Sequence, residues 1–380
     1  MKNIIQGVLL FISVLVIIFL AGEATLNLFD YFCGKNVGEG LSPRGQLDRR
    51  GLRYDVKMNR SHIPNLKFIH EAQDGKEFKI SVCYNSKGLN DEEYPYLKPE
   101  GTRRIVVLGD SFAEALQVER KNNFCEILEG KLNETQPPKK TEVINLGVSG
   151  YSPILEYLYL KKEGLKYDPD LIILCFFMND VYEDSVYKGM ADLDEKGLPL
   201  QVHWKGKDKT SVLPGWKKKE RKVCNTVKGI VNKSKFYVFI KRKIYILLER
   251  FKLKKKKSYR KQFFIAERSE DPEEKSLWRE TFRYVLAIRD LAEAEGGKFL
   301  FVIIPMEAQL SKNPNDAAFM TYFSDKPDST RINAAIRDFC TENNIECINL
   351  YDYFKDYEGE GIYFKHDGHF RPAGHRVTAE

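Results

Sequence analysis

Ser111 stands just beyond a short apolar run, Ile105–Leu108, in the sequence Gly109-Asp110-Ser111-Phe112. A serine where a buried strand turns into a helix exposes its hydroxyl at the strand's carboxyl end. The helix N-terminus beyond it offers free N–H groups to developing negative charge. Those are the needs of a nucleophile whose reaction passes through an oxyanion. Asp and Ser also begin helices as plain caps, so Gly-Asp-Ser alone does not separate the two readings. Three further clusters carry reactive residue types. Asn145-Leu146-Gly147-Val148-Ser149-Gly150-Tyr151 follows a second apolar run, and its glycines permit either close approach to a ligand or a tight turn. Phe176-Phe177-Met178-Asn179-Asp180 places a carboxamide and a carboxylate directly after a third, where an ordinary loop start is the alternative. His366-Asp367-Gly368-His369-Phe370-Arg371-Pro372-Ala373-Gly374-His375 holds three of the six histidines in the chain. Histidine shuttles protons near neutral pH, which makes this a candidate base region, against a polar tail or a metal cluster. Asp367, His369 and His375 are possible ligands, but no second carboxylate–histidine motif completes a site, so no metal or cofactor is expected.

The elements that must position these groups are readable as five near-continuous apolar runs: Ile105–Leu108, Val143–Leu146, Leu171–Phe177, Phe299–Ile304 and Cys347–Leu350. Strands buried on both faces read this way. Helix-like stretches separate them, at Asn123–Leu132, Ile154–Gly164, Glu273–Glu295 and Ser329–Asn343. The alternation predicts an α/β fold with a parallel sheet and helices on both sides, whose ligands gather beyond the carboxyl ends of the strands. The first three clusters each follow a predicted strand directly, and the histidine cluster lies beyond the fifth. Residues 22–100 read as an irregular leader with short strands such as Phe78–Tyr84. Residues 185–270 interrupt the alternation.

Taken together and in this order, the clusters resemble the SGNH (GDSL-type) hydrolase superfamily of serine esterases. Gly109-Asp110-Ser111 is similar to its first block, Gly150 to its second, Asn179-Asp180 to its third and Asp367-Gly368-His369 to its last. The resemblance covers roughly residues 100–380. It extends to a membrane-anchored bacterial subset in which an Asn-Ser-x-Gly stretch, here Asn85-Ser86-Lys87-Gly88, precedes the nucleophile block. It implies a three-layer α/β/α fold with a five-stranded, flavodoxin-like parallel sheet. It also implies Ser111 as nucleophile, His369 as base and Asp367 as its partner. The oxyanion would be held by the N–H groups of Ser111 and Gly150 and the Asn179 amide, with Asp110 and Asp180 in support. Two departures stand out. Only Gly368 separates Asp367 from His369, where two residues are usual, and the position set by the usual spacing holds His366. A one-residue gap resembles that of some SGNH-like proteins that O-acetylate polysaccharides. Met178 replaces the usual glycine before Asn179. His366 and His375 are read as structural.

Compartment follows from the N-terminus. Ile4–Ala21 is an 18-residue run broken only by Gln6, Gly7 and Ser13, close to the length needed for a hydrocarbon core of roughly 30 Å. Lys2 precedes it, while Glu23 and Asp30 follow. The positive-inside rule then predicts a single-pass anchor over 1–21 with the remainder exported, periplasmic or extracellular. A cleaved signal peptide is the competing reading, against which stand the length of the run and a poor cleavage site. The formal charge of +7 is unevenly spread. Residues 205–261 carry 22 basic and 3 acidic side chains, or +19, leaving 39 against 51, or −12, for the rest. That distribution excludes a whole-protein nucleic-acid reading. The basic segment reads as a solvated lid or as an amphipathic surface for anionic lipid or glycan near the membrane. Seven cysteines without CxxC or metal-like spacing argue against a full disulfide framework, and Cys175 reads as a buried thiol. The sequence therefore predicts an exported esterase acting on an acylated, above all O-acetylated, glycan or lipid. An O-acyltransferase and a non-catalytic binding module on the same fold are the alternatives.

Overall fold

A computed structural model of the protein describes residue 21 and residues 52–55, 57–72, 75–135, 140–203, 272–310 and 329–380. In chain order the elements are β1 (Leu52–Asp55), β2 (Asn59–His62), β3 (Lys67–Glu71), β4 (Lys79–Cys83), β5 (Arg103–Gly109), α1 (Ser111–Glu114), α2 (Phe124–Thr135), β6 (Thr141–Asn145), α3 (Pro153–Lys162), β7 (Leu171–Phe176) and α4 (Asp180–Lys188). They continue with β8 (Ala191–Leu193), β9 (Pro199–Val202), α5 (Pro272–Ala294), β10 (Lys298–Ile303), α6 (Glu307–Leu310), α7 (Ser329–Glu342), β11 (Cys347–Asn349), α8 (Tyr351–Phe354) and α9 (Pro372–Thr378).

Five strands form one sheet in the order β11-β10-β7-β5-β6, every pair parallel. The five apolar runs are these strands, each within two residues of its expected start. Their side chains are buried on both faces: Val106, Val107 and Leu108 of β5 are inaccessible, as are Ile172, Leu174 and Phe176 of β7. Helices α3, α4 and α5 pack on one another, while α9 packs on α2. That gives two separate groups of helices to cover the sheet. The strand order is the flavodoxin-like 2-1-3-4-5, so the chain reverses direction across the sheet between β5 and β7. The segments that follow those two strands carry Ser111 and Asn179.

The leader is more regular than its sequence suggests. Two antiparallel pairs, β1 with β2 and β3 with β4, occupy it. Their strands are short and mixed in polarity (LRYD, NRSH, KFIHE, KISVC), because each covers the domain with only part of its surface. The interval between β7 and α5 likewise begins with regular structure, α4 and the β8–β9 hairpin. That hairpin returns to the leader, where Val202 N–H bonds the Lys57 carbonyl at 2.8 Å. The basic stretch 205–261 lies outside the described residues, and so does the expected anchor, apart from residue 21. Among the described residues no helix is long and apolar enough to cross a membrane. The described cysteines, Cys83, Cys125, Cys175, Cys340 and Cys347, are free thiols, and Cys175 is buried as expected.

One buried cation ties leader to sheet. Arg104 in β5 is wholly inaccessible. Its Nε meets Glu142 at 2.9 Å, Nη1 donates to the Tyr96 and Tyr167 carbonyls at 2.9 Å, and Nη2 donates to the Pro95 carbonyl at 2.7 Å. Removing Arg104 would leave the buried Glu142 with only the exposed Lys140, at 3.2 Å, to balance it, and the three carbonyls without this donor. Arg104→Met is therefore expected to destabilise the protein by about 3–5 kcal/mol, measured as a shift in the denaturant midpoint at constant slope. Arg104→Met unfolding at the wild-type midpoint would contradict this reading.

Candidate active site

Asp110 caps the four-residue helix α1, its Oδ1 accepting the Phe112 N–H at 2.9 Å. This brings Ser111 to the carboxyl end of β5 with its side chain half-buried. The last segment of the chain reaches the same point from the other side. His369 Nε2 lies 2.7 Å from Ser111 Oγ, and His369 Nδ1 lies 2.6 Å from Asp367 Oδ1. The short Asp–His spacing works because Gly368 sits at φ +84°, a left-handed conformation open to glycine. That turn folds both neighbouring side chains to one side. His366, at the position of the usual spacing, is exposed. The backbone N–H groups of His366 and Asp367 both donate to Glu77 in the leader, at 2.8 and 2.9 Å. Burial raises the Asp367 carboxyl, but the hydrogen bond and charge of His369 outweigh it and hold the group below its ordinary value. Phe112 packs its ring 4.9 Å from that of His369, and 4.6 and 4.8 Å from Phe177 and Phe370. These rings restrict the imidazole to the plane that reaches Ser111.

Gly150 lies in the turn after β6, and Asn179 follows β7 as the cap of α4. Among the described hydrogen bonds, neither the Ser111 nor the Gly150 backbone N–H has an internal partner. The Asn179 amide lies close enough to the carboxyls of Asp110 and Glu183 to lower both, while its Oδ1 is buried without a partner. Asp180, the supporting residue, accepts the Phe177 N–H at 3.0 Å and is fully buried. Burial, then the charges of Glu156 and Asp110, push its carboxyl well above the ordinary range. Burial likewise raises Asp110. Glu156, inaccessible and with both oxygens unpartnered, is raised well up by burial and by Asp110. Burial pushes Glu183 up to about 8. Asn179 therefore neighbours carboxyls whose ionisation burial disfavours.

Met178 is buried in the core and adds no polar group. His375 is structural, as expected. It is buried, its Nδ1 accepts the Phe124 N–H at the start of α2 at 3.4 Å, and burial pushes it down to about 3, so it stays neutral. Among the described residues no group of His, Cys, Asp and Glu could hold a metal ion. The apolar groove of about 980 Å³ between α3, α5 and α7, lined by Tyr157, Trp278, Phe282 and Phe339, contains none of these site residues. Sequence reasoning missed Glu114, Glu77, Arg60 and His62, all of which contact the site loops. Only the Asn85–Gly88 stretch hinted that the leader takes part.

No protein-family model matches the sequence, and no curated protein does. The chain is similar in structure to the acetyl xylan esterase AlAXEase, at 15% identity and a TM-score of 0.37 over 73% of this chain and 96% of the other. It is similar to a member of the lipolytic G-D-S-L family from Veillonella parvula, at 13% identity and 0.36 over 73% and 94%. It is likewise similar to a catalytic mutant of the acetylxylan esterase Axe2 from Geobacillus stearothermophilus, at 10% identity and 0.38 over 75% and 93%.

Proposed function

We propose that the protein is a serine esterase that cleaves an O-acyl ester, an O-acetyl group above all, from a cell-surface glycan or lipid through an acyl-enzyme. The reading is carried by one observation: a half-buried serine hydroxyl, an imidazole and a carboxylate in unbroken hydrogen-bond contact, 2.7 and 2.6 Å, at a strand's carboxyl end. In this mechanism Ser111 Oγ attacks the ester carbonyl as its proton passes to His369 Nε2. The tetrahedral oxyanion is met by the N–H groups of Ser111 and Gly150. The Asn179 amide supplies the third donor. Collapse expels the alcohol, which takes the proton from His369. Water then repeats the sequence on the acyl-enzyme, releasing the acid and restoring Ser111. Asp367 holds Nδ1 protonated and stabilises the imidazolium, as in other triads. Asp110 supports by shaping the turn and Asp180 by fixing the backbone before Asn179. The glycan or lipid class and the exported, membrane-anchored location rest on the N-terminal run and its charge flanks.

The test is labelling of the whole protein with a fluorescent organophosphonate. The expected result is a single adduct on Ser111, lost in Ser111→Ala. Absence of any adduct on the folded wild-type protein would favour a non-catalytic binding module instead. A labelled acyl donor with a glycan acceptor then separates hydrolysis from acyl transfer, since both share the acyl-enzyme.

A further inference from the structure

We propose that strand β2 clamps the loop of residues 147–151, with Arg60 and His62 as positioning residues for its oxyanion-binding N–H; this rests on the esterase reading above. The two residues are two apart on one strand, so their side chains leave it on the same side. Each leads to a different part of the loop.

His62 is buried, with Nδ1 2.7 Å from the Gly88 carbonyl and Nε2 2.8 Å from Glu114 Oε1. Its ring stacks on Tyr84 at 4.2 Å and 19°. Glu114, inaccessible at the end of α1, accepts from Tyr84 Oη at 2.7 Å, from the Ser149 N–H at 2.6 Å and from Ser149 Oγ. Burial alone raises a carboxyl, but the His62 charge and these donors outweigh it and pull Glu114 to about 2. It is thus a carboxylate that fixes Ser149, the residue before Gly150, by its N–H and hydroxyl. The Asn85–Gly88 stretch supports this contact from behind. Asn85 Oδ1 accepts the Lys87 and Leu89 N–H groups at 2.9 Å, shaping the turn that presents the Gly88 carbonyl to His62.

Arg60 takes the other side. Its Nη2 donates to Tyr187 Oη at 2.8 Å, and that hydroxyl donates to the Gly150 carbonyl at 2.6 Å. Tyr151 Oη donates to the Arg60 carbonyl at 2.6 Å. Gly150 sits at φ +72°, and a Cβ there would come 3.1 Å from Arg60 Nη1. Ser149, Gly150 and Tyr151 are each tied to β2 directly or through one side chain. An oxyanion donor works only when aimed before the charge develops, so a loosened loop loses rate and not ground-state binding.

The test uses the full chain carrying Tyr187→Phe, Arg60→Met or His62→Phe. For each, kcat and KM on a short-chain acyl ester, the rate of phosphonate labelling and the thermal midpoint are measured. Losing one aimed donor typically costs about 10²–10³ in kcat, so partial loosening should cost about tenfold in Tyr187→Phe and about 10²-fold in Arg60→Met. KM should stay within about threefold. Labelling should slow in step with kcat, because the phosphonate adduct places its anionic oxygen on the same loop. Tyr187→Phe removes one oxygen atom and keeps the test open should the other variants misfold. Wild-type kcat in folded Tyr187→Phe and Arg60→Met would overturn the clamp, as would a kcat loss with unchanged labelling. Failure of the esterase reading looks different: the wild-type protein itself forms no phosphonate adduct.

Discussion

Ser111→Ala is expected to lower kcat on a short-chain acyl ester by about 10⁴-fold or more, leaving only what an oxyanion site contributes without a nucleophile. In the proposed mechanism this hydroxyl is the one group that forms the covalent bond, and it sits directly against His369 Nε2. The fold should survive. Ser111 Oγ touches only His369 and, at 3.4 Å, Asp110, while α1 is capped by the Asp110 side chain. Steady-state hydrolysis alongside circular dichroism makes the comparison. Turnover at the wild-type rate would remove Ser111 from the mechanism.

The second large effect concerns Asp367, whose spacing departs from the usual pattern. Asp367→Asn keeps the side chain's shape but offers an amide N–H toward Nδ1, which favours the wrong imidazole tautomer. The expected loss is about 10³–10⁴-fold in kcat. The segment should hold its place, since the backbone N–H groups of both His366 and Asp367 are anchored by Glu77. The neighbouring exposed His366, replaced by Gln, should leave kcat within about twofold, as surface changes away from contacts usually do. If instead His366→Gln were the crippling change, the partner of His369 would be misassigned.

The sheet was legible because β5, β7 and β10 are buried on both faces, so their sequences are apolar without alternation. Ser111 was legible because it follows such a strand at once. His369 and Asp367 were legible through type and closeness to the chain's last helix. The leader's part was not. Arg60, His62 and Glu77 sit in short, mixed-polarity segments, and they matter through contacts far along the chain, 91 positions for Arg60 with Tyr151 and 290 for Glu77 with Asp367. Glu114 gave no signal either: a glutamate in a short helix reads as solvated surface, and only the folded protein shows it closed in by His62, Tyr84 and Ser149. The Asn179 amide shows the converse. Its type and place were readable, while its nearness to the buried carboxyls of Asp110 and Glu183 shows only in the fold.

Those buried acids alter the electrical account of the molecule. The −12 assigned to everything outside the basic segment counts each Asp and Glu as ionised. Yet burial drives Asp91, Glu156 and Asp180 well above the ordinary range, and Glu183 to about 8. Burial thus disfavours the charge that this count assigns to each of them. In the unfolded chain the same groups ionise near pH 4. The contribution of such raised carboxyls to stability is complete below about pH 4 and declines as pH rises toward the folded-state values. For Glu156, Asp180 and Glu183 that dependence is set by the packing of α3 and α4, which carry them.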